Sequence, residues 1–315
     1  PPRPGLVRIA PDGSILDTSP AWLDDSNLQA RGRTQLLGGA QGWTYVGRYE
    51  DLSELLRGYR IDGSGSWVDT PGSPLFQLGG IDSPGYGPFY RYKFERAGDR
   101  YVVVWHGVEE HFSALRVDKD GTALDNEGVQ LAHRKEETDA RSLVEYTLEC
   151  APDVCILVWE LETNTGTYND EKVEVYFQRF DPETGETIDD AAVHLKTIEN
   201  RFPHTPEPAV AFGPNEIVVM TPAEKKFLAF ELRRNGTSQP VSDTSSYATV
   251  GPSFIYGSTA LVYADPLYFF VWEQDPTRPR SSSEHLYGVR LDSNQSPVDE
   301  KPIRLSGETA TVSGI

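Results

Sequence analysis

Side chains able to do chemistry fall into a few short segments of the chain. HGVEEH sets His106, Glu109, Glu110 and His111 side by side. Imidazole with carboxylate suits Zn or Mn, or a general acid and base. One loop supplies too few ligands for a closed site, so a solvated loop at a strand end accounts for the same residues. TRPRSSSEH puts Arg278 and Arg280 beside three serines. That segment is either a grip for a carboxylate or sugar, or a solvated loop. Arg201 and His204 in NRFPHTP would line a channel mouth, and Tyr86 in GYGPFY would offer sugar an aromatic platform. Packing between elements explains such aromatics equally well. A hydrolytic pair would come from Glu109, Glu110, Glu145, Glu160 and Glu273. It needs two carboxyls about 5–10 Å apart, one with a raised pKa. The two cysteines, Cys150 and Cys155, stand in LECAPDVCILVWE. Four residues lie between them, where a redox CxxC motif has two.

Composition removes several function classes. The formal charge is −19, which argues against sequence-independent binding to nucleic acid or anionic lipid, since both need a basic surplus. No run of about 18 apolar residues occurs, so membrane insertion by a helix is not expected. A 38% hydrophobic, 11% aromatic content predicts a sizeable core. The 28 Gly and 23 Pro predict many turns. PPRPG at the start reads as a mature or trimmed terminus, which fits export. NGT at Asn235 and NQS at Asn294 would accept glycan only in a eukaryotic secretory setting, and chance explains them better. No nucleophile elbow, phosphate loop or dinucleotide fingerprint is present, and GSGSW at 63–67 lacks the Gly-Lys-Ser/Thr of a P-loop.

The elements that must position these residues come from an internal repeat. RAGDRYVVVW (96–105), CAPDVCILVW (150–159) and YADPLYFFVW (263–272) align without gaps on a tryptophan. AFGPNEIVVM (211–220) follows with Met220 in the tryptophan slot, and GGAQGWTYVG (38–47) is a weaker copy. Each predicts a hairpin whose second strand is buried on both faces. The tryptophans then pack blades rather than hold ligands. A second half-motif runs through RIAPDGSILD (8–17), RIDGSGSWVD (60–69), RVDKDGTALD (116–125), RFDPETGETID (179–189), LRRNGTSQP (232–240) and RLDSNQSPVD (290–299). Gly13, Gly65, Gly121, Gly185 and Gly236 share a slot that Gln295 fills in the last copy. Four residues on come Asp17, Asp69, Asp125, Asp189 and Asp299, with Pro240 the exception. These Asp and Gly residues fit turn chemistry; an EF-hand loop would need further oxygen ligands.

Two consecutive hairpins per unit, radially repeated, predict an all-β chain: a β-propeller of four-stranded antiparallel blades. Five complete blades are expected at about 30–79, 80–132, 140–197, 203–246 and 250–306, within one domain spanning 1–315. An extra N-terminal outer hairpin, 6–23, closes the ring against 306–315 or belongs to a sixth blade.

YVVVW followed by EEHFSALRVDKDGTALDNEGVQLA (101–132) resembles a repeat of secreted bacterial proteins common in myxobacteria and their relatives. The resemblance covers most of residues 30–306 and implies an exported, propeller-like protein. It carries no catalytic residues that transfer to this chain.

In the repeat, Cys150 and Cys155 flank an inner-hairpin turn, one on each strand. Non-hydrogen-bonded antiparallel pairs stand about 4.5 Å apart at Cα, near the lower end of the disulfide range. A disulfide staple is therefore expected, and with it an oxidising compartment: extracellular, cell-surface or periplasmic. The expected function is a non-enzymatic binding or assembly module with a protein or glycan partner and no cofactor or metal. A glycan-active hydrolase is the alternative, and a structural subunit that completes its ring in a homo-oligomer or larger assembly is a third reading.

Overall fold

The computed structural model describes residues 5–6, 21–22, 35–39, 42–49, 55–70, 73–78, 92–106, 111–125, 128–131, 141–163, 172–199, 206–223, 226–234, 240–248, 255–274 and 285–306. Every regular element among them is a strand. The chain is a five-bladed β-propeller by fold class, with five antiparallel four-stranded sheets, each built from consecutive strands. It divides into two compact units.

The first unit comprises 1–133 with the turn 182–185. It opens with a ribbon in which β1 (Gly5–Leu6) pairs with β2 (Ala21–Trp22). The remainder of the expected closing hairpin, and 307–315, lie outside the described residues. Blade 1 is β3 (Gln35–Gly39), β4 (Gly42–Tyr49), β5 (Leu55–Asp62) and β6 (Phe76–Leu78). Blade 2 is β7 (Tyr92–Ala97), β8 (Arg100–His106), β9 (Phe112–Asp118) and β10 (Val129–Gln130). The two blades share a core of Leu37, Val46, Phe76, Phe94, Tyr101 and Val103, and a buried 2.8 Å hydrogen bond joins Thr44 to the Tyr101 hydroxyl.

The second unit holds three blades. Blade 3 is β11 (Arg141–Cys150), β12 (Cys155–Thr163), β13 (Lys172–Phe180) and β14 (Val193–Glu199). Blade 4 is β15 (Ala209–Phe212), β16 (Glu216–Ala223), β17 (Lys226–Arg233) and β18 (Pro240–Ala248). Blade 5 is β19 (Ile255–Ala264), β20 (Leu267–Gln274), β21 (His285–Leu291) and β22 (Ile303–Arg304). One core joins blades 3 and 4 through Ile156, Val158, Ile217 and Val219. Another joins blades 4 and 5 through Val218, Met220, Phe227, Phe270 and Trp272.

Burial explains why the second strand of each inner hairpin reads as an apolar run. Val102–Val104, Ile156–Val158 and Ile217–Val219 are fully buried, so both faces meet side chains and alternation disappears. In β20 alternation returns: Tyr268, Phe270 and Trp272 are buried, while Phe269 and Val271 are half-buried.

Register corrects one assignment. Trp105, Trp159 and Trp272 stand opposite Tyr92, Tyr146 and Thr259. Met220 instead faces Ala209. Its hairpin closes at Gly213 N–H to Glu216 O, 2.9 Å, one residue later than the gapless alignment implies. The tryptophan slot of blade 4 therefore belongs to Thr221. Sequence alignment fixes the apolar run, but the turn fixes which face each member takes, and a one-residue slip reverses all of them.

The outer half-motif supplies the end of the third strand, an Asp/Gly turn and a side-chain clamp, after which the fourth strand pairs back antiparallel. In Asp62, Asp118 and Asp292 one Oδ accepts two backbone N–H groups further along the turn, as in Asp118 from Asp120 and Thr122 at 2.9 and 2.8 Å. The glycine slot then takes positive φ: 90° at Gly121, 80° at Gly185, and 53° at Gln295. A Cβ on Gly121 would meet Leu75 O at 1.8 Å, so glycine is needed there on two counts. One isolated bridge follows in each of these turns.

Candidate functional site

Each blade has two ends. The inner-hairpin turn and the Asp turn share one end, and the connection from the second to the third strand sits at the other. At the turn end the charges that recur in the repeat are engaged with one another. Arg116 donates its backbone N–H to Asp125 Oδ2 at 2.8 Å and its guanidinium to both carboxylate oxygens, with Nη2 at 2.6 Å. The same clamp recurs as Arg60–Asp69, Arg179–Asp189 and Arg290–Asp299, each with a 2.6 Å Nη2 contact. Leu124 N–H donates back to Arg116 O at 2.9 Å, closing the ring, and Val68, Ile188 and Val298 do likewise.

Two clamps reach further. Arg116 Nη1 donates to Glu183 O within the first unit. Arg179 Nη1 donates to Arg233 O at 2.7 Å, tying blade 3 to the turn of blade 4. Blade 4 has Glu231 in the arginine slot and Pro240 in the aspartate slot. There the polarity reverses: Glu231 accepts from Gln295 Nε2 of blade 5 at 3.0 Å. The arginine and aspartate slots of blade 4 and the glycine slot of blade 5 thus depart from the repeat on the two sides of one contact, which the repeat alignment displays without being read as a pairing.

At the opposite end the slot after the tryptophan holds unlike residues: His106, Glu160, Pro222 and Glu273. Glu160 is fully buried, and Thr221 Oγ1 donates to its Oε1 at 2.6 Å. The small threonine in the tryptophan slot of blade 4 is what admits this carboxylate from blade 3. Glu273 is also buried. Glu145 lies where β11 shifts register between Leu143 and Tyr146, and β19 shifts similarly between Ile255 and Thr259. Such bulges re-aim side chains near the end of a strand.

Of the expected loop residues, His106 and His111 are described. His106 pairs in register with Phe112 and its ring lies edge-on to that phenyl at 5.1 Å, while His111 immediately precedes β9. Glu109, Glu110, Tyr86, Arg201, His204, Arg278 and Arg280 lie outside the described residues. Among the described residues no three His, Cys, Asp or Glu side chains gather as a metal-ion cage.

The disulfide joins Cys150 and Cys155, with Cα atoms 4.1 Å apart in direct register. Beside it on β11, burial pushes the Glu149 carboxyl up to about 7. Glu149 was not among the carboxylates singled out from sequence, because nothing in a strand pattern reports which glutamate loses its water. It lies at the turn end of β11, away from Glu145. At the blade 4–5 seam, burial and then a 2.6 Å hydrogen bond to Glu216 Oε1 raise the Tyr268 hydroxyl pKa.

No family model matches the chain, and no curated protein matches it. Among solved structures it is similar to the fucose-specific lectin from Aleuria aurantia, at 9% identity and TM-score 0.47 over 91% of this chain and 83% of that one. It is also similar to an alpha-L-arabinofuranosidase from Clostridium thermocellum, at 8% identity and TM-score 0.46 over 86% of this chain and 93% of that one. An endo-arabinanase from Bacillus licheniformis follows at 10% identity and TM-score 0.40, over 71% and 81%. What those proteins bind or act on is a property of those proteins.

Proposed function

We propose that the chain is an exported, non-enzymatic binding module that presents the loop ends of its blades to a glycan or protein. The observation that supports this is the contrast between the two ends. Repeat charges at the turn end hold the fold, whereas the slot at the loop end changes chemistry from blade to blade. Ligand-contacting residues belong on the variable side of a rigid scaffold. The chain's strong negative charge favours a neutral or cationic partner surface. The disulfide supports an extracellular, cell-surface or periplasmic location. A glycan array and a pull-down test the reading, using His106→Ala with His111→Ala, Glu109→Ala with Glu110→Ala, and Arg278→Ala with Arg280→Ala. At least one pair should lose binding about ten-fold or more. Equal retention by all three pairs would remove the loop-end assignment.

A glycan-active hydrolase with a carboxylate pair at the channel mouth is the second reading, favoured by Glu160 and Glu273, both buried in the slot after the tryptophan. Hydrolysis of an oligosaccharide panel that disappears in Glu160→Gln and in Glu273→Gln supports it. No turnover by the unmodified protein rejects it.

A further inference from the structure

The Cys150–Cys155 bond spans a hairpin that is already closed without it. Ala151 N–H donates to Val154 O at 2.8 Å, and Tyr146–Cys150 pairs residue for residue with Cys155–Trp159. The same slot in the other blades holds Gly38 and Trp43, Arg96 and Tyr101, Phe212 and Ile217, and Tyr263 and Tyr268, each pair in register. Four sister hairpins thus form with no covalent link. The two cysteines also differ in exposure: Cys155 is fully buried, whereas Cys150 is half-buried beside the turn.

We propose that this disulfide is a thiol–disulfide exchange site in the folded protein, with Cys150 as the sulfur attacked. Exchange proceeds in line, so the incoming thiolate must approach one sulfur from the side away from the other. Half-exposed Cys150 offers that approach, and buried Cys155 does not. An external thiolate bonds to Cys150 Sγ, the Sγ–Sγ bond breaks, and Cys155 leaves as a thiolate that takes a proton from water. With an external dithiol, its second thiolate then attacks the mixed disulfide. That step releases the Cys150 thiol and the oxidised dithiol. The natural reactant is a dithiol or protein thiol able to reach the turn end of blade 3.

Three measurements on the full chain test this. Dithiothreitol in native buffer should produce two alkylatable thiols while the thermal midpoint falls by no more than a few degrees. Exchange with cysteamine should leave the mixed disulfide on the Cys150 peptide. In native buffer, Cys150 in Cys155→Ser should react with iodoacetamide about ten-fold faster than Cys155 in Cys150→Ser. Reduction only in denaturant, loss of the fold on reduction, or adducts on Cys155 would each overturn the proposal. The two serine variants separate access from folding, since each retains the hairpin hydrogen bonds and differs only in which thiol remains.

Discussion

Blades 3 and 5 carry the same clamp in opposite surroundings. Arg179 and Asp189 expose 1% and 0% of their side chains, whereas Arg290 and Asp299 expose 49% and 9%. The bond lengths match to within a tenth of an ångström, including the backbone N–H to Oδ2 contact at 2.7 and 2.8 Å. Geometry is therefore set by the local turn and not by burial. What burial changes is the consequence of breaking the clamp. An exposed arginine regains water, but a buried one keeps an unneutralised charge.

The largest expected effect follows directly. Asp189→Ala should lower unfolding free energy by about 3–5 kcal/mol, because Arg179 would stay buried without its carboxylate, its Nη1 still donating to the Arg233 and Arg234 carbonyls. Urea unfolding checks it. Replacing both residues by apolar ones of similar volume should cost far less, since burying the pair has its own desolvation penalty. If the single and double variants cost the same, the clamp acts through its backbone bond alone.

How far the fold was legible follows from the same residues. Hairpin order and the Asp/Gly turns could be read because turn residues and apolar runs recur at fixed offsets. The Arg–Asp clamp is half visible: the aspartates stand out by their spacing, whereas nothing in the sequence singles out the arginine nine or ten residues earlier as their partner. Its pairing shows only in blade 4, where Glu231 and Pro240 replace both members. The assignment of Met220 to the tryptophan slot failed because methionine suits either face of a doubly buried strand. Only the turn at Gly213–Glu216 decides between them. Of the candidate site, Glu160 was singled out from its place after Trp159, yet its partner Thr221 lies sixty-one residues on in another blade. Glu149 was missed because desolvation is a property of the assembled sheet.

The next effect sets the inner strand of blade 3 against the outer turn of blade 5. Burial holds the folded-state pKa of Glu149 near 7, above its ordinary 4.5. The folded chain binds the extra proton, so this contribution to stability is full below about pH 4.5 and is lost as pH rises through about 7. The loss is at most about 3 kcal/mol. Asp299 runs the other way. The Arg290 guanidinium, and then the Arg290 backbone N–H, hold its pKa below the usual carboxylate range. Its contribution is present at neutral pH and disappears as pH falls through the acid range. Glu149→Gln should therefore flatten the stability decline between about pH 4.5 and 7 while leaving the acid limb intact. Denaturant titrations at several pH values separate the two. An unchanged decline would mean that another group sets it.

The smallest effect is the one that decides what the clamp is. Asp299→Ala in blade 5 removes the same four hydrogen bonds as Asp189→Ala removes in blade 3. Arg290 is half in water already, so its guanidinium is resolvated, and only the backbone N–H must find a new acceptor. Water is available there too. The expected cost is about 0.5–1 kcal/mol, and it should shrink further in high salt, where exposed ion pairs are screened. The Asp292 turn beside it keeps its own bonds from Asn294 and Ser296, so the backbone path survives the loss. Should Asp299→Ala cost as much as Asp189→Ala, burial is not the governing variable. The clamp would then be indispensable for turn geometry in every blade, and blade 4, which folds without it, would need its own account through Glu231 and Gln295.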